Sequence, residues 1–277
     1  MSRVAVCKPL AAESLRSLNT QSMPKASNIA RIGVSVVIPC FNEEIAILHL
    51  RDRLLAMLEV LGNKYDIHLV FVDDGSTDGT WSLLNRLFGA NPKCTLIRQS
   101  GNLGLGAAIL AGLKAATTEI VCSIDADCTY DPCQLDRLLP LLTSGVDLVT
   151  GSPHHPAGSV VGVPRWRLFL SKSASFLYRF ALRQELYTYT SCFRVYRRGA
   201  VLKLKLKRSD FLAVAELIGK LDLQGSAVVE CPATLTCRAH GVSKMKIARV
   251  LAGHLGLLLE LITLRGQQAF SGRTYIS

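Results

Sequence analysis

Glu119-Ile120-Val121-Cys122-Ser123-Ile124-Asp125-Ala126-Asp127 is an apolar run of strand length that ends in two carboxylates one residue apart. A run of this kind reads as a buried strand. Asp125 and Asp127, at i and i+2 where the strand gives way to the turn before Pro132, point to the same side. Two carboxylates so placed can share one cation. Hard divalent ions such as Mg²⁺ or Mn²⁺ take oxygen ligands and are commonly held by one or two carboxylates together with the phosphates of a substrate. The competing reading is a strand-end turn, where Asp is favoured for its own hydrogen bonding. The neighbouring segments decide between the two.

Working outward, Val34-Ser35-Val36-Val37-Ile38-Pro39 is a β-branched run closed by proline, and Asn42 is read as the N-cap of a helix. That helix carries Ile45, Leu48, Leu54, Leu55 and Leu58 on a helical period and stops at Gly62. Ile67 to Val72 forms a second strand that runs into Asp73-Asp74-Gly75-Ser76-Thr77-Asp78-Gly79-Thr80, with a helix from Trp81 to Phe88 behind it. A short strand at Thr95 to Ile97, the turn Asn102 to Gly106 and a small-residue helix from Ala107 to Ala116 complete a third unit. Strands alternating with helices predict βαβ units and a mostly parallel sheet flanked by helices, an α/β Rossmann-like fold. In open sheets of this class ligands bind beyond the carboxyl ends of the strands. Asp73, Asp74, Asp125 and Asp127 all fall there. The turn Gly104-Leu105-Gly106-Ala107-Ala108 lacks a full GxGxxG and comes in the third unit, which argues against a nicotinamide site. It is either a tight helix start or a backbone that comes close to a nucleotide.

After Leu148 to Ser152 the pattern changes. Pro153 to Val163 is rich in Gly, Pro and His and reads as a loop, with His154 and His155 as noncatalytic members of it. From Pro164 to Arg183, Trp166, Phe169, Leu170, Ser173, Phe176, Leu177 and Phe180 recur at helical spacing among Arg165, Arg167, Lys172 and Arg179. A basic amphipathic helix with aromatics faces a membrane surface or a core. Ser191 to Arg198 is strand-like, burying Phe193, Val195 and the stem of Arg197. A helix from Asp210 to Leu221 and a strand from Val228 to Ala233 follow. The chain ends in a helix from Ile247 to Leu264 that is apolar but for Arg249, His254 and Glu260. A membrane span needs about 20 apolar residues, so this charged helix lies on a membrane, packs on a partner or joins the core.

The formal net charge of +11 calls for an anionic partner. Between Arg165 and Arg208 there are 12 Lys or Arg and a single acid, Glu185, so that segment faces something negative. No nucleic-acid motif is present. Nine cysteines, an odd number with no CxxC pair, and no signal peptide point to a reducing cytoplasmic compartment, and Cys122, Cys128 and Cys133 read as buried thiols in preference to zinc ligands. Residues 1–33 have no sustained period and read as a flexible leader, residues 34–245 as the main domain, and residues 246–277 as an amphipathic helix and tail.

Val36 to Glu43, Val72 to Thr80, Gly101-Asn102-Leu103-Gly104, Asp125-Ala126-Asp127 and Arg238 to Lys244 occur in the order seen in family 2 glycosyltransferases of GT-A fold. Within that family the chain most resembles polyprenyl-phosphate sugar transferases of the dolichol-phosphate mannose synthase type, from Val34 to Lys244. The resemblance implies that Pro39, Phe41, Glu43 and Asp73, with Asp74 and Gly104 beside them, line the donor pocket of a GDP- or UDP-sugar. Asp125 and Asp127 would reach the metal and diphosphate, with Asp127 counted among the catalytic groups. Arg167 and Ser171, at i and i+4 on one helix face, match the pair that meets a polyprenyl phosphate, and Arg238 and Lys244 match the donor-phosphate clamp. Three departures bear on sugar identity and acceptor geometry: Pro153 where the family often has Arg, Thr129 where it often has Gln, and Cys192 where it usually has Gly.

The implied reaction is an inverting, metal-dependent transfer at the cytoplasmic membrane face. A lipid phosphate is already anionic, so no strong general base is required. The alternatives are transfer to a hydroxyl, with Asp131 as the base by proximity, and a nucleotide-sugar binder without turnover.

Overall fold

In the computed structural model, which describes residues 31–238 and 247–271, the apolar runs become strands and the 3.6-period stretches become the helices between them. β1 (Ile32–Cys40), β2 (Tyr65–Asp73), β3 (Cys94–Arg98) and β4 (Ile120–Ser123) are joined by α1 (Ile47–Leu61), α2 (Thr80–Phe88) and α3 (Leu105–Ala115). The second half contains α4 (Leu135–Leu138), β5 (Val146–Ser152), β6 (Ser159–Val161), α5 (Arg165–Ala181), β7 (Arg194–Arg197) and α6 (Arg198–Leu202). It closes with α7 (Leu212–Leu223), β8 (Ala227–Pro232), β9 (Thr234–Thr236) and α8 (Ile247–Ser271). Seven strands form one sheet in the order β3-β2-β1-β4-β7-β5-β8, and β6 pairs with β9 in a separate parallel ribbon.

β3, β2, β1 and β4 run parallel, as do β5 and β8, while β7 is antiparallel to both of its neighbours. A parallel sheet is covered on both faces, which is why β1 and β2 are apolar without alternation. Val34, Val36 and Ile38 pack with α1 and α2 residues such as Leu50, Leu54 and Leu84. Val37, Val70 and Val72 pack on the other face with Ile109 and Leu113 of α3 and with α7. The small residues of α3 permit a close approach to the sheet: a Cβ on Gly112 would lie 2.3 Å from Val37 Cγ1.

Three expectations are corrected. Asn42 is not a helix cap: its φ is 51°, and α1 starts only at Ile47. Its side-chain oxygen instead accepts from Thr77 N at 2.8 Å, and its own N–H donates to Ser76 Oγ at 2.9 Å, stitching the loops after β1 and β2 together. The loop at 153–163 contains β6, which pairs with β9, a short strand that follows the expected strand over 228–233, here β8. Both faces of β7 are buried, so Arg194 and Tyr196 are covered along with Val195. Arg194, with no exposed surface, donates to Val214 O at 2.7 Å and Tyr189 O at 2.9 Å.

α8 buries His254, Leu257, Leu258 and Leu261 against α5 and α7 and leaves Leu251, Leu255, Leu259 and Ile262 exposed. No helix among the described residues is long and apolar enough to cross a membrane. Apart from residues 31–33, the leader lies outside the described residues, as do Lys244 and the last residues of the tail.

Candidate active site

The two aspartates sit in the turn just past β4, and Ile124 N donates to Val37 O at 3.1 Å, which holds that turn against β1. Asp127 is 7 % exposed, and its Oδ1 accepts from Thr129 N at 3.0 Å. Burial and the neighbouring Asp127 charge raise the Asp125 pKa above the ordinary carboxylate range, and the Cys192 thiol hydrogen-bonds to the same carboxyl. Among the described residues no cluster of three or more His, Cys, Asp or Glu side chains forms a complete metal cage. A pair of adjacent carboxylates is nevertheless the donor set that Mg²⁺ or Mn²⁺ uses when phosphate oxygens and water complete its shell. A cation there would relieve the repulsion that pushes Asp125 up.

Arg238 already bridges this acidic centre. Its Nε lies 2.5 Å from Asp127 Oδ2 and its Nη1 3.4 Å from Glu43 Oε1. The aim comes from β9: Thr236 N donates to Thr129 O at 2.8 Å, Tyr130 and Leu235 form an antiparallel bridge, and Cys237 N donates to Val161 O. The residue after Cys237 is thereby carried onto the Asp127 turn.

The residues expected to meet the donor are gathered by the loops after β1 and β2. Cys40 pairs with Asp73 in register, Asp74 N donates to Cys40 O, and Glu43 N donates to Thr80 Oγ1 at 2.8 Å. Pro39 is buried at the end of β1, and Phe41 is half-buried beyond it. Asp73 is fully buried, its Oδ1 taking Ser76 N at 3.1 Å and its Oδ2 lying 3.2 Å from Arg98 Nε. Asp74 gives both oxygens to backbone amides, those of Leu103 at 2.8 Å and Gly104 at 2.9 Å. It therefore fixes the start of α3, where Gly104 has a φ of 100° with Ser209 O only 2.6 Å from where a Cβ would stand. Arg98, 5.5 Å over the Trp81 ring, is a rim cation that the sequence reading passed over. Its place at the C-terminal end of a parallel strand was the available signal.

On the other side of the aspartates opens a cavity of about 350 Å³. Asp125, Asp127, Arg167, Ser171, Thr190 and Arg238 all line it, together with the departures Thr129, Pro153 and Cys192. Trp166, Leu168, Leu170, Phe211 and Leu251 add apolar surface to its wall. The Arg167 guanidinium stacks 5.1 Å from the Trp166 ring centre. His154, set aside in the sequence reading, also lines the cavity, and its Nε2 is 3.1 Å from Ser171 Oγ. Asp131 is not among the lining residues. Burial pushes its carboxyl up, but the hydrogen bonds from Arg53 and Cys133 N outweigh that and hold it below the usual range. It caps a short 3₁₀ turn at Pro132–Gln134.

The model of "Glycosyl transferase family 2" matches residues 35–204, which contain the strands, both aspartates, Arg167 and Ser171. The chain belongs to glycosyl transferase family 2. It is a glycosyltransferase, and its fold is of GT-A type. It is 36% identical over 218 residues to polyprenol monophosphomannose synthase of Mycolicibacterium smegmatis, covering 76% of this chain and 80% of that protein. It is 33% identical over 215 residues to dolichol-phosphate mannosyltransferase of Pyrococcus furiosus, covering 77% of this chain and 59% of the relative. Among solved structures it is similar to glucosyl-3-phosphoglycerate synthase from Mycobacterium tuberculosis in complex with Mn²⁺, UDP and phosphoglyceric acid. That match has a TM-score of 0.61 at 22% identity over 86% of this chain and 79% of that one.

Proposed function

We propose that this glycosyltransferase moves a sugar from a nucleoside-diphosphate donor to a polyprenyl phosphate at a membrane surface. The observation that carries the reading is the make-up of the cavity lining. One cavity brings the aspartate pair, Arg167, Ser171 and Arg238 together with the apolar side chains of Trp166, Leu168, Leu170, Phe211 and Leu251. An anionic head with a hydrocarbon tail fits that combination of surfaces. The names of the two relatives supply the same acceptor class. Outside the cavity, Trp166, Phe169, Phe176 and Phe180 of α5 and Leu255, Leu259 and Ile262 of α8 are exposed. With the basic residues of α5 they form a face suited to an anionic lipid surface.

The chemistry needs no base. An oxygen of the acceptor phosphate attacks the anomeric carbon, and the bond from that carbon to the donor's diphosphate breaks on the opposite face, inverting the centre. No proton has to leave the nucleophile, in keeping with an Asp131 committed to Arg53. Arg167 and Ser171 hold the attacking phosphate, a positioning contribution. Arg238 exchanges its contact with Asp127 for the departing diphosphate and stabilises charge where it develops, a role that Lys244 shares. Pro39, Phe41, Glu43 and Asp73, with Gly104 at the start of α3, surround the nucleoside. Asp125 and Asp127 would hold a Mg²⁺ or Mn²⁺ ion, whose chemistry when bound is to neutralise the diphosphate as a Lewis acid.

The test is a product assay that sets a polyprenyl phosphate against the corresponding polyprenol and simple alcohols, with several labelled nucleotide sugars. Transfer to the phosphate alone is expected. Equal or better transfer to a hydroxyl would overturn the acceptor assignment.

A further inference from the structure

His154 leaves the end of β5 two residues after Ser152 and turns its ring into the acceptor side of the cavity. Nε2 lies 3.1 Å from Ser171 Oγ, and Ser171 Oγ lies 3.4 Å from Thr190 Oγ1, so the three side chains form a polar line in the cavity wall. Nδ1 is buried with no hydrogen-bond partner among the described residues. Burial, with Lys172 beside it, pushes the His154 pKa down to about 4, so the ring is neutral at physiological pH.

A neutral imidazole has one N–H, and a serine hydroxyl has one proton. If Ser171 donated to Nε2, its proton would be consumed, its lone pairs would face the cavity, and the Nδ1 proton would be buried without an acceptor. If Nε2 carries the proton and donates to Ser171 Oγ, the serine keeps its own proton free to turn to Thr190 Oγ1 or to an anion in the cavity. Only the second arrangement lets Ser171 donate to an anion, a charge-assisted bond stronger than a neutral one.

We propose that His154 is a positioning residue that acts through Ser171: its Nε2–H fixes the serine hydroxyl so that the Ser171 proton points at the acceptor phosphate. This rests on the acceptor reading of Arg167 and Ser171 given under the proposed function. Because the ring is neutral, it tunes hydrogen-bond geometry and adds no charge of its own.

The experiment is steady-state transfer to a polyprenyl phosphate, with acceptor and donor each varied against a saturating level of the other, for wild type, His154→Ala, His154→Gln, Ser171→Ala, Arg167→Ala and the double variant His154→Ala/Ser171→Ala. Loss of one hydrogen bond predicts an acceptor KM raised roughly fivefold in His154→Ala, with kcat and donor KM within about twofold. His154→Gln, which keeps an N–H donor, restores most of the loss. In the Ser171→Ala background, His154→Ala adds nothing further. Equal effects of His154→Ala with and without Ser171, or no change in acceptor KM, would overturn the proposal while leaving the acceptor site intact. If Ser171→Ala and Arg167→Ala leave acceptor KM unmoved, the acceptor reading and this proposal fall together.

Discussion

Replacing Arg238 by alanine should move metal affinity and donor affinity in opposite directions. The guanidinium lies 2.5 Å from Asp127 Oδ2, on a carboxylate that is 6 % exposed, and 3.4 Å from Glu43 Oε1. An ion entering between Asp125 and Asp127 has to displace this contact and sit beside its charge. The arginine side chain is 31 % exposed, so solvent screening limits the pair to about 1–2 kcal/mol. Removing it should tighten Mn²⁺ binding, in the absence of nucleotide, by roughly 5- to 30-fold. The donor loses a charged hydrogen bond to its diphosphate, about 1.5–3 kcal/mol, so kcat/KM should fall on the order of 10- to 100-fold. Calorimetric titration with Mn²⁺ alone, beside steady-state kinetics in donor, reads both. The variant leaves Asp127 unpaired, so its melting temperature should fall, and titration is best done well below it. Mn²⁺ affinity that is unchanged or weaker, or an unchanged donor kcat/KM, would refute the exchange of partners.

Asp127→Ala should reduce transfer by at least about a hundredfold with the circular dichroism spectrum retained, and wild-type turnover in this variant under chelation would dismiss the metal. Asp125→Asn tests the repulsion at the turn. The raised folded pKa means that the folded state binds a proton the unfolded state has released, so stability present near pH 4 is lost as pH rises toward neutrality. The metal-free Asp125→Asn protein should therefore melt above wild type by a margin that grows from pH 5 to pH 8, and a constant margin would count against it. Arg194→Ala strands the carbonyls of Val214 and Tyr189 in a fully buried site and should cost about 3–5 kcal/mol, or on the order of 10 °C in melting temperature. A shift under 2 °C would mean that water replaces the side chain.

The first half of the molecule was legible because its signals are local. Val34 to Pro39 and Ile67 to Val72 are unbroken apolar runs, each ending in acids or turn residues, and the structure places β1 and β2 on them. The aspartate pair could be placed at a strand end for the same reason. What escaped depends on partners far along the chain. Nothing near Ser159 announces β6, since its partner β9 starts at Thr234. Arg194 carries a charge that normally marks a surface, and its burial is intelligible only once the carbonyls of residues 189 and 214 surround it. Asn42 looked like a cap because it precedes a periodic run, yet its side chain is drawn to Thr77 across the crevice. His154 was dismissed with its Pro-Gly loop, since no pattern in sequence brings it to Ser171.

The single reversed strand of the sheet has an engineering consequence. Because β7 runs against β5, with Thr150 beside Arg194 in register, the chain departs from the rim at Ser152 and comes back to that same rim forty residues later. Residues 153–193 thus form a cassette clipped at both ends to one border of a scaffold whose β1, β2 and β4 end at the proposed nucleotide site. Exchanging that cassette between relatives should redirect what the enzyme glycosylates and leave untouched which nucleotide it consumes.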